Sequence, residues 1–220
     1  MRFQFRHGFY YVYMILSVVY ILILHVLPPS YRYPALTYIL FTDACALGFT
    51  FIGALVLLEK GQNITQSLFV TPIRLTEYLL SKQISFLALT LLSTIIIITG
   101  AGLWGERFGW FGLGVLLSAP VYTIFGLVFA AKARHVNDYF VRVLGIGLLI
   151  SAPVLSYAQL IDTPLFYVLP TRATLILLDI MRQDYSPGEI TYAVVCLIIW
   201  LLITWRWAWL RFEKHVRHPA

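Results

Sequence analysis

Asp43 is the residue in this sequence whose position most demands an explanation. It lies about 8 residues into an apolar stretch, about 12 Å along a helix at about 1.5 Å per residue. That is near the middle of a bilayer, where an ionisable side chain costs about 2.5–3.5 kcal/mol and must face protein or water. Two chemistries are open to it. It can meet a substrate or a proton on a transport pathway, or tie helices together through hydroxyls such as Thr42, Ser93 or Ser156. The five histidines, His7, His25, His135, His215 and His218, form no H-E-x-x-H and no paired spacing with acids. No Ser/His/Asp order with supporting glycines is present. Cys45 and Cys196 both sit in apolar runs and read as buried small hydrophobes, with no metal or disulfide framework. No site residue is therefore expected to be catalytic, cofactor-binding or metal-binding.

The elements that would position Asp43 follow from composition. The 220 residues are 60% hydrophobic and 12% charged, with a mean hydropathy of +0.82. Soluble domains carry about 25% charged residues, so this is an integral membrane protein. Stretches of about 20 apolar residues span a bilayer. Six are found, at roughly 9–28, 35–58, 84–103, 109–131, 143–161 and 190–210, and the chain reads as one all-α polytopic domain over 1–220. The first stretch is longer than a signal-peptide core and ends in Pro28-Pro29 without a cleavage site, so it reads as a retained span. With both termini inside, 12 of the 16 Lys and Arg fall on the inner side and 4 on the outer, a clear positive-inside bias. The net charge of +6 is then a membrane-surface feature, with no nucleic-acid partner implied. Trp205, Trp207 and Trp209 are expected to form an aromatic belt at the inner end of the last span.

The connections are unequal. Residues 29–34 and 104–108 form short outer loops. Residues 162–189 are longer and hold a second apolar pattern, with Thr171 a candidate cap for a helix to about Met181, ended by Pro187-Gly188. That helix is too short to span and is expected to be re-entrant or interfacial. Spans four and five share Leu-Ser-Ala-Pro-Val and Ile-Ser-Ala-Pro-Val, at 117–121 and 150–154, so a kink is expected at Pro120 and at Pro153.

The inner connection, LLEKGQNITQSLFVTPIRLTEYLLSK at 57–82, is over twenty residues long, where a turn of a few would suffice. Asn63 can cap a short helix to about Val70, with Gln66 as its capping-box partner. Ile64 and Leu68 then share one face. Thr71-Pro72 starts the next helix. The reading is a short amphipathic helix across the inner face, either resting on headgroups or docking a partner.

Glu59-Lys60-Gly61, the short helix, Leu68-Phe69-Val70-Thr71-Pro72, then Glu77-Tyr78-Leu79 and Lys82 resemble the permease subunits of ABC-2 type exporters. The resemblance extends to small bacterial drug-export permeases of the fluoroquinolone-export type. Tyr167-Val168-Leu169-Pro170-Thr171 is similar to that family's stretch before its last span. Haem-exporter permeases of similar length carry a more acidic loop at this lead-in. The resemblance implies that Asn63, Ile64, Gln66, Leu68 and Phe69 belong to a coupling helix docked on a separate ATP-binding subunit, with Glu59 at its hinge. It implies a second permease subunit, identical or not, and a pathway at the interface of the two that spans two and five line, with Phe49, Phe51, Tyr157 and Gln159 on it beside Asp43. ATP and Mg would be held by the partner, since this chain has no G-x-x-x-x-G-K-[ST]. The chain would then be a multi-pass protein of a bacterial inner (plasma) membrane and a transport subunit without enzymatic activity of its own. It would move a hydrophobic or amphiphilic small molecule. The alternative is a standalone proton-coupled transporter or intramembrane enzyme that uses Asp43.

Overall fold

The computed structural model describes residues 9–62, 75–133, 135–161 and 163–217. Every regular element among them is helical. In chain order they are α1 (Phe9–Val26), α2 (Pro29–Phe41), a π-helical turn (Thr42–Leu47), α3 (Gly48–Gly61), α4 (Leu75–Ala101) and α5 (Phe108–Lys132). There follow α6 (Val136–Ser151), the single turn α7 (Val154–Tyr157), a 3₁₀ segment (Pro164–Val168), α8 (Pro170–Asp179) and α9 (Pro187–Arg217). By length and composition, four helices can cross a membrane: Pro29–Gly61, Leu75–Ala101, Phe108–Lys132 and Pro187–Glu213. A shorter apolar helix covers Tyr11–Val26.

Helix α5 is the post of the bundle. It packs against α3, α4, α6, α8, α9 and the π turn. Its residues 121–128 are buried on every side, an all-round apolar pattern suited to a surrounded helix. Helix α1 leans on α4 and α2, and most of its remaining side chains face outward. Close approach sets the geometry. A Cβ on Gly126 would lie 2.5 Å from the Phe49 carbonyl oxygen and 2.3 Å from the Ile52 side chain, so only glycine lets α5 reach α3 backbone to side chain.

Several connections differ from the sequence reading. Residues 29–34 are the first turns of α2, with Pro28 before them and Pro29 at the first helical position. The outer link is thus shorter than expected, and the Arg32 Nε donates to the Leu27 carbonyl across it at 3.1 Å. Pro120 sits inside an unbroken α5. Pro153 does break its helix, so the expected span at 143–161 is two pieces. The same phrase has two outcomes because α5 is clamped all round, whereas α6 is exposed along one side and free to end. At α4 the left-handed Gly102 (φ 67°) ends the helix, with Leu103 N–H donating to the Ile98 carbonyl.

Helix α8 begins at Pro170, with Leu169 in the capping position, so Thr171 does not cap it. The Thr171 hydroxyl instead donates to the Ile150 carbonyl at 2.6 Å, near the broken end of α6. All of α8 except Arg172 is buried, so it is packed into the bundle. Pro187-Gly188 opens α9 where an end was expected. Ser186 and Glu189 form a capping box there: the Ser186 N–H donates to Glu189 Oε2 at 2.9 Å, and the Glu189 N–H to Ser186 Oγ at 3.3 Å. Trp207 packs inward, edge-on to Phe125 and Phe129 with ring centres 6.3 and 5.7 Å apart. The three tryptophans, all partly buried, therefore cement α9 to the core.

Replacing Gly126 by Ala forces its Cβ onto a backbone carbonyl and is expected to cost about 1–3 kcal/mol. The thermal unfolding midpoint in detergent should fall. Gly112→Ala, where nothing lies within 4 Å of the new Cβ, should leave it level or raise it. Equal midpoints for the two variants would contradict this packing.

Candidate functional site

An apolar cavity of about 170 Å³ opens between α3 and α6. Phe41, Phe49 and Thr50 line one wall and Val143, Gly147 and Ser151 the other. The aromatic ring of Phe49 is packed edge-on by Phe125 and Phe129 from α5, at 6.4 and 6.0 Å. Gly147 leaves room for the Phe49 ring, which a Cβ there would meet at 3.4 Å. Parts of the second and fifth expected spans thus border one apolar space within this chain.

The other residues expected on that pathway are dispersed. Phe51 faces the opposite way, edge-on to Tyr13 of α1 at 5.6 Å. Gln159 is exposed and takes φ 59°, in the left-handed position that ends the turn α7. Tyr157 stacks edge-on to Tyr38 at 4.9 Å and donates its hydroxyl to Asp179 at 2.5 Å. Asp43 is fully buried in the π turn, among side chains of α1 and α4, and is not a lining residue of the α3–α6 cavity. Of its expected hydroxyl partners, Ser93 of α4 stands beside the carboxyl and the other two are engaged elsewhere. Thr42 donates back to the Tyr38 carbonyl at 2.8 Å, and Ser156 accepts from Arg172 at 2.7 Å. Neither Asp43 oxygen has a hydrogen-bond partner.

At the far end of α3, Glu59 is buried and accepts from two side chains of α4. The Lys82 ammonium pairs with Oε1, and the Tyr78 hydroxyl donates to Oε2 at 3.0 Å. The next residue, Lys60, donates to the Ala130 and Ala131 carbonyls at 2.9 and 2.8 Å. A cation on the last carbonyls of α5 satisfies groups that no helical partner can reach. Glu59 and Lys60 thus tie the ends of α3, α4 and α5 at the edge of the 63–74 segment. Asn63, Ile64, Gln66, Leu68 and Phe69, with the proposed capping box, lie outside the described residues.

A model of the fluoroquinolones export permease protein family matches residues 1–219. The chain belongs to that family. Two curated relatives are the fluoroquinolones export permease proteins of Mycobacterium tuberculosis strains CDC 1551 / Oshkosh and ATCC 25618 / H37Rv. Each is 28% identical over 199 residues, which cover 89% of this chain and 84% of the relative. The chain is therefore a membrane transport permease, and its family points to transport and away from catalysis.

The permease also holds a polar cluster that sequence reasoning missed. Asp179, fully buried at the end of α8, accepts five hydrogen bonds. Thr37 of α2 and Tyr157 of α7 donate to Oδ1 at 3.2 and 2.5 Å. Arg182 donates through Nε to Oδ1 and through Nη2 to Oδ2, both at 2.9 Å, and Tyr185 donates to Oδ2 at 3.0 Å. Burial, and then the Asp179 charge, push the Tyr185 phenol well above its ordinary value, so it stays a donor. The spacing Asp-x-x-Arg at the end of an apolar helix was the one local signal. Asp179 fixes α8 to α2 and to α7.

Asp179→Ala removes the shared acceptor and leaves several donors short of a partner. It is expected to cost about 3 kcal/mol. Asp184→Ala breaks an ion pair to Arg107 whose acid is 87% exposed, and should move the unfolding midpoint little. A similar midpoint for both variants would contradict the cluster's role.

Proposed function

We propose that this permease is the membrane-spanning subunit of an ABC-2 type exporter in a bacterial plasma membrane. Two such subunits, identical or paired with a similar chain, would join two ATP-binding subunits, and ATP with its Mg would be bound and hydrolysed there. The observation that carries this reading is membership of an export-permease family over residues 1–219. The apolar cavity between α3 and α6 and the tied helix ends beside 63–74 supply the two parts such a subunit needs: a place for cargo and a place to receive force.

The topology in this proposal has six spans and cytoplasmic termini. Helix α1, at 18 residues, reaches about 27 Å at 1.5 Å per residue, close to the thickness of the hydrocarbon core. The broken α6–α7 unit supplies the other short crossing, and the four long helices the rest. The positive-inside bias then places Glu59, Lys60 and Lys82 at the cytoplasmic face. The cargo is hydrophobic or amphiphilic, matched to a cavity lined by Phe41, Phe49 and Tyr122. The names of the M. tuberculosis relatives make a fluoroquinolone the first compound to try.

Segment 63–70 is the coupling helix in this reading, with Leu68 on its docking face. Leu68→Arg should leave the assembled complex hydrolysing ATP while efflux from cells falls to the level of an empty vector. Gly147→Phe should fill the α3–α6 cavity and lower efflux several-fold without loss of membrane insertion. Unchanged efflux in both variants would contradict the proposal.

A further inference from the structure

A second apolar cleft, of about 190 Å³, lies between α1 and α4. Tyr11, Met14 and Leu92 stand at its exposed rim, and Tyr13, Ser17 and Ser93 are buried in its wall. Asp43 lies against this wall. Tyr13 and Tyr20 of α1 and Ser93 of α4 are the side chains that act on its carboxyl. Helix α5 packs on the same π turn and sets no charged group against it, and no described Lys, Arg or His does so from any element.

The direction of the hydroxyl protons is fixed by what they bond. Ser17 Oγ donates to the Tyr13 carbonyl at 2.8 Å, which commits its only proton. In the Ser17–Ser93 pair, 3.0 Å apart, Ser93 must then be the donor. The Ser93 hydroxyl is also within reach of Asp43, and while its proton stays on Ser17 it offers Asp43 only a lone pair. A carboxylate cannot use a lone pair, but a carboxylic acid can donate to one. An ionised, unpaired carboxylate at zero exposure would cost several kcal/mol, whereas the neutral acid avoids that cost.

We propose that Asp43 is a proton-binding site: a neutral acid at the head of a one-way donor chain through Ser93 and Ser17 to the Tyr13 carbonyl, exchanging its proton through the α1–α4 cleft. Loss of the proton to water in the cleft leaves a carboxylate. Ser93 must then rotate its hydroxyl towards Asp43 and withdraw it from Ser17. Protonation of α2–α3 is in this way linked to the hydroxyl bond that joins α1 to α4. The π turn gives Asp43 a place to move, because a wide turn holds an extra residue that can shift register. The site is separate from the α3–α6 cavity and does not depend on the exporter reading.

The test is infrared difference spectroscopy of the full chain in lipid nanodiscs, wild type minus Asp43→Asn, over a pH series. Should the variant fail to fold, ¹³C-labelled aspartate in the wild-type chain assigns the band to an aspartic acid, and its movement in Ser93→Ala assigns it to Asp43. The expected result is the carbonyl band of one protonated carboxylic acid at neutral pH. It should shift in D₂O, move in Ser93→Ala and give way to carboxylate bands as pH rises. Carboxylate bands at neutral pH would overturn the proposal. So would a band indifferent to D₂O and pH, which marks a sealed structural acid, and carboxylate bands that grow with sodium at fixed pH, which mark a metal cation.

Discussion

The approach of α5 to α3 at Gly126 is the contact on which the rest of the permease depends. In hydrocarbon, helices gain little from hiding apolar side chains, and association rests on close packing and hydrogen bonds. Gly126 lets the two backbones come near enough for Ile52 and Phe49 to lock against α5. Phe49 is thereby held as a wall of the α3–α6 cavity, with its outer face left for α6. At the far end Lys60 reaches the last carbonyls of α5, so the same helix pair is fixed at two depths. The strict geometry is confined to α5 and its neighbours. Helix α6 contacts few elements and ends early, which suits a wall that moves.

The buried acids of this apolar chain divide by their partners. Glu59 has a lysine and a phenol, and Asp179 has an arginine, two phenols and a threonine. Each joins separate helices, Glu59 tying α3 to α4 and Asp179 tying α8 to α2 and α7. Such satisfied groups specify an arrangement, since no other packing would supply the same donors. Asp43 stands between them with no cation beside it and neither oxygen in a formed hydrogen bond, Ser93 alone being within reach. A buried acid kept without a partner costs stability, and that cost is understandable where the protonation state itself is used.

Composition alone made the membrane class and most of the helices legible, because a 20-residue apolar run has few other uses. The limits of that reading are physical. Arg32 and Pro34 made 29–34 look like a loop, yet Pro at the first helical position and an Arg bonded to the preceding carbonyls are compatible with a helix start. The two Ser-Ala-Pro phrases are identical in local propensity, and only the crowding around α5 separates them. The Asp179 cluster was not legible because one partner, Thr37, lies 142 residues away. Phe49 lines the α3–α6 cavity, a neighbourhood set by α5 and α6 that span two alone does not encode. The Tyr157 hydroxyl serves Asp179, a pairing that no periodicity encodes.

The central claim is that the segment after Glu59 docks an ATP-binding partner. The most direct measurement is crosslinking in the native membrane, followed by mild-detergent purification of the tagged permease and mass spectrometry. The account predicts a stoichiometric subunit with a Walker motif, crosslinked to residues 59–75. A permease recovered free of any ATPase after that crosslinking would contradict it.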